Sequence, residues 1–149
     1  MKKLLSFLVF FILSNTMFAQ SLTKDTTKQV DYFVVKTVVS PKFHLKDKII
    51  LRNKTNYIIS FFAVALCVND NYEVLGNCMN VEPGKEYEVA SYKKNELKRL
   101  RKNTIAIKFK GFKTLVDNID VPNINPNDFR IALGEERHDL IIEIYNNIF

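Results

Sequence analysis

The sequence predicts an all-β protein, a sandwich of about seven to nine mostly antiparallel strands. Three observations predict it. Apolar residues recur with a period of two in run after run, turn-forming Asn, Pro and Gly separate those runs, and helical signals are confined to residues 95–102. The 149 residues are 47% hydrophobic and include 12 Phe, so a single domain has ample core material.

The chain opens on a different signal. Lys2 and Lys3 precede an apolar run over residues 4–13 that only Ser6 interrupts, and Met17, Phe18 and Ala19 lead to Gln20. A charged start, a short apolar middle and a small residue at the end are the layout of a secretory signal peptide, too short for a good membrane span. Cleavage is expected after Ala19. No Cys stands near that point, which argues against a lipoprotein and for a soluble periplasmic or released protein with no transmembrane span left. Phe18-Ala19-Gln20 resembles the ends of Bacteroidetes signal peptides. Residues 20–31 then read as a flexible polar lead and 32–149 as one domain. Losing Lys2 and Lys3 takes the formal charge from +6 to +4.

Within the domain, residues 32–39 and 48–52 read as its first strands. Residues 58–68 are apolar on both parities, with Phe61, Phe62, Val64 and Leu66, as suits a central strand covered on both faces. Residues 74–81 and 87–92 follow. Ile105, Ile107 and Phe109 alternate with Thr104, Ala106, Lys108 and Lys110, so that strand has one wet face. Residues 129–133 come next, and then Leu140, Ile142 and Ile144 alternate with Glu143 and Tyr145. Turns are expected at 53–56, 69–71, Pro83-Gly84 and 123–127. The one helix has Asn95 as N-cap, Glu96 in its first turn, Leu97 and Leu100 on one face, and Arg101 and Lys102 at its end. Residues 48–66, a strand running into a turn and a long apolar strand, resemble the opening hairpin of immunoglobulin-like sandwiches. That resemblance implies an immunoglobulin-like arrangement of the strands. Alternation by itself does not distinguish a sandwich from a closed barrel.

Several chemistries lack their residues. With four Gly, no GxGxxG and no GxxxxGK[ST], nucleotide binding by those loops is excluded. His44 and His138 are the only histidines, and neither has a metal-ligand spacing. Glu135, Glu136, His138 and Asp139 read as a solvated turn rather than a cation site. Glu86 and Glu88 share one strand face about 7 Å apart, near the carboxylate spacing of glycosidases, although alternating Glu is also what a wet face looks like. No GxSxG occurs, and Cys67 lies in an apolar run where a thiolate is disfavoured. No catalytic residue, metal or cofactor is assigned.

Two features are positive. Folding the hairpin about Tyr72 and Glu73 sets Cys67 opposite Cys78, so an oxidising compartment would join them. Residues 93–113 hold nine basic residues against Glu96, whereas 117–149 hold seven acids against Arg130 and Arg137. Lys98, Arg99 and Arg101 with Lys108 and Lys110 therefore form a candidate face for an anionic polymer. Only Phe109 and Phe112 interleave with these lysines, which together with export argues against nucleic acid. Asp25-Thr26-Thr27 resembles the Bacteroidetes O-glycosylation acceptor, with Thr26 as the modified residue. The expected function is an exported, non-catalytic binding or accessory module acting on an envelope or extracellular partner. The alternatives are a glycan- or envelope-acting enzyme using acidic residues, and a structural subunit joined through a sheet edge.

Overall fold

A computed structural model describes residues 17–18, 22–25, 32–93, 95–121 and 124–147. These form two five-stranded sheets. Sheet A has the order β1–β9–β10–β4–β7, from β1 (Met17–Phe18), β9 (Phe129–Glu136), β10 (Asp139–Asn146), β4 (Lys48–Lys54) and β7 (Glu86–Ser91). Sheet B has the order β2–β3–β8–β5–β6, from β2 (Leu22–Asp25), β3 (Tyr32–Val38), β8 (Thr104–Thr114), β5 (Tyr57–Val68) and β6 (Asn71–Val81). The all-β sandwich is therefore present, and every strand pair is antiparallel except β10 with β4. No helix among the described residues is long and apolar enough to cross a membrane.

The period-two pattern fills the space between the sheets. Phe33, Val35 and Thr37 of β3 point inward, as do Ile105, Ile107 and Phe109 of β8 and Leu140, Ile142 and Ile144 of β10. Alternation breaks once in β8, at Gly111. Its φ of +74° lets the strand continue past Lys110 with Phe112, three residues beyond Phe109, facing inward again. Phe112 stacks on Phe129 of sheet A with centroids 4.5 Å apart, tying the sheets together.

The two sides of the sandwich differ. On one, β6 and β7 meet so closely that a Cβ on Gly76 would lie 2.2 Å from the Val89 carbonyl oxygen, and the Tyr92 hydroxyl donates to the Leu75 carbonyl at 2.6 Å. On the other, the outer strands are β1, antiparallel to β9, and β2, antiparallel to β3.

Three expectations change. Leu22–Asp25, expected in a flexible lead, forms β2, because an outer strand pairs through its backbone and needs little apolar surface. The helix is a 3₁₀ segment, Glu96–Leu100, and Asn95 sits in the left-handed region with no side-chain capping bond. Leu97 and Leu100 do bury, as their spacing predicts. Cys67 and Cys78 are free thiols. Asn69 and Asp70, both at positive φ, make the turn, so Cys67 lies opposite Tyr72 and Cys78 opposite Phe62. Cys67 is on the outer face of sheet B and Cys78 packs against the core, so no rotamer joins them.

Candidate functional site

The outer face of sheet B gathers aromatic and basic side chains from four strands. Register fixes their places. Lys110 of β8 lies opposite Phe61, which lies opposite Met79. One pleat along, Val34, Lys108, Ala63 and Asn77 form the next row, followed by Lys36, Ala106, Ala65 and Val74, and then Val38, Thr104, Cys67 and Tyr72. Ala63, Ala65 and Ala106 leave a low floor between taller neighbours. Tyr72, Val74 and Met79 rise along one border, with Val74 66% and Met79 64% exposed.

The lysines lie over rings. Lys36 Nζ is 5.2 Å from the Tyr72 centroid, Lys108 Nζ is 5.5 Å from Tyr32 and 5.8 Å from Tyr72, and Lys110 Nζ is 5.2 Å from Tyr32. Tyr32 also meets Phe61 edge-on at 6.0 Å. Among the described residues no carboxylate pairs with Lys36, Lys108 or Lys110. Three cations held on ring faces, with no carboxylate partner among the described residues, make a surface that attracts anions. Burial pushes the Cys67 thiol above its ordinary range, against the opposing pull of Lys36 and Lys108. The thiol is therefore a neutral part of this face.

Of the residues expected to form a basic face, Lys108 and Lys110 come together here. The other three do not join them in one array. Arg99 is engaged by Glu73 through two bonds of 2.9 and 2.7 Å, Arg101 donates from Nη1 to the Phe43 carbonyl at 3.2 Å, and Lys98 is exposed on the 3₁₀ segment. Phe109 and Phe112, the aromatics expected to interleave, are core residues. Tyr32, Tyr72 and Lys36 take that part instead. Half of that signal was available, since Tyr32 and Lys36 stand on the opposite parity to Phe33, Val35 and Thr37.

The outer face of sheet A is ion-paired. Arg52 bonds Glu86 at 2.6 Å, Glu136 at 2.7 and 2.6 Å, and Glu143 at 3.4 Å, while Lys48 pairs with Glu88 at 3.1 Å. Arg52 holds the Glu136 carboxyl below the usual carboxylate range, mainly through these hydrogen bonds. The cluster at the β9–β10 turn diverges. Glu136 turns to Arg52, whereas Glu135 accepts from the His44 amide at 2.9 Å and lies 3.4 Å from His138 Nδ1. Thr26 and most of residues 1–19 lie outside the described residues; Asp25 ends β2. No protein-family model, curated protein or solved structure matches the chain.

Proposed function

We propose that this protein is an exported, non-catalytic binding module that holds an acidic polysaccharide across the outer face of sheet B. The observation that carries the reading is the set of Lys36, Lys108 and Lys110 lying over Tyr32 and Tyr72, with no carboxylate partner among the described residues. Lysines meet the acid groups of such a polymer, while tyrosine faces and the alanine floor accept the apolar faces of its rings. Glu86 and Glu88, two of the acids an enzyme could use, are each engaged by a cation, which favours binding over catalysis.

Polygalacturonate is a direct probe. The exported protein is expected to bind it at low salt and to lose that binding steeply as ionic strength rises through about 0.15 M. Replacing Lys36, Lys108 and Lys110 together by Gln should abolish binding. Tyr72→Ala should weaken it at every salt concentration, and Lys98→Gln should leave it unchanged. Binding that survives the triple replacement would overturn the proposal, and tighter binding of single-stranded DNA would reassign the face to nucleic acid.

A further inference from the structure

Among the described residues, sheet A is completed on its open side by the two residues of β1. Met17 lies opposite Leu133 and Phe18 opposite Ala132, and both belong to the segment that the sequence leads one to expect is removed after Ala19. Their loss leaves the outer edge of β9 with no strand partner among the described residues, a template for another strand.

The sequence of β9 is complementary to itself. In an antiparallel pairing of two β9 strands about a twofold axis at Leu133, Arg130 stands opposite Glu136 and Ala132 opposite Gly134. Arg130, Ala132, Gly134 and Glu136 alternate with the inward Phe129, Ile131 and Leu133, so they share the outer face. This register therefore makes two opposite-charge cross-strand pairs, with small residues between them. Arg130 and Glu136 are both exposed, Arg130 lying over the Tyr145 ring at 4.1 Å and Glu136 bonded by Arg52, so the register adds the Arg130 of one copy to the Arg52 already on Glu136 of the other. Glu135, which comes opposite Ile131, is already turned to the His44 amide.

We propose that removal of the leader opens β9 to a second copy of the chain, which joins the two sheets A into one continuous sheet, and that β1 keeps this edge closed until then. The proposal rests on the export reading. It is tested by producing the full chain in an exporting bacterial host, sequencing the N-terminus of the recovered protein and sizing it by light scattering at about 100 μM. A Gln20 N-terminus with twice the chain mass is expected. Arg130→Glu should weaken the dimer about tenfold or more, whereas Arg130→Lys should keep it. Hydrogen exchange of the unaltered protein gives a reading free of variants, with amide protection in β9 rising with protein concentration. A processed monomer, or a dimer that Arg130→Glu leaves intact, overturns the pairing. An intact Met1 N-terminus overturns the processing step and with it the opening of the edge.

Discussion

Asn53 shows how one side chain can hold a fold. It is fully buried at the end of β4, its amide donates to the Tyr57 and Val81 carbonyls at 2.8 Å each, and its Oδ1 accepts from the Thr55 amide and hydroxyl. Asn53→Ala leaves those groups dry and unpaired, and urea unfolding should show a loss of about 3 kcal/mol. Gly76 acts through the space it leaves empty. With the Val89 carbonyl 2.2 Å from where a Cβ would sit, Gly76→Ala must push β6 from β7, and a similar loss of about 3 kcal/mol is expected. Arg52 acts through charge. Because it lowers the folded-state pKa of Glu136, that contribution is complete above the ordinary carboxylate range and is lost as pH falls through the folded value. Stability measured from about pH 6 to pH 2 should therefore fall less steeply in Arg52→Met than in the unaltered protein.

At the scale of elements, strand positions were legible and strand partners were not. Residues 129–133 and 140–145 announced themselves because burial on one face imposes a period of two, and Asn69-Asp70 announced a turn. The pairing of Cys67 with Cys78 failed because it depended on where the hairpin bends, and a few residues' error in that place moves both thiols to new partners and opposite faces. Labelling of the unfolded, unreduced protein should accordingly find two thiols per chain. In the native protein Cys78 should react slowly, since burial pushes its pKa up to about 11. Asp70 at φ 67° occupies a position that glycine takes without strain, and Asp70→Gly should stabilise the hairpin by about 0.5–1 kcal/mol in thermal unfolding. The sheet B face stayed hidden for the same reason as the cysteine error. Tyr32, Lys36, Lys108 and Tyr72 sit on three strands far apart in sequence, and only register makes them neighbours.

The whole molecule is a sandwich with unlike outer faces, lysine and tyrosine on sheet B and an arginine-centred set of carboxylates on sheet A. Its topology also sets the order in which it can form. β10 lies between β9 and β4, so without residues 139–146 sheet A is two separate pieces. A chain stopped before Asp139 should remain protease-sensitive throughout. Most pairings join residues far apart in sequence, and refolding of the complete chain is expected to take milliseconds to seconds. During synthesis sheet A thus stays open until residues 139–146 have emerged. The proposed export would call for such late closure, since a narrow pore admits a thread and not a finished sandwich.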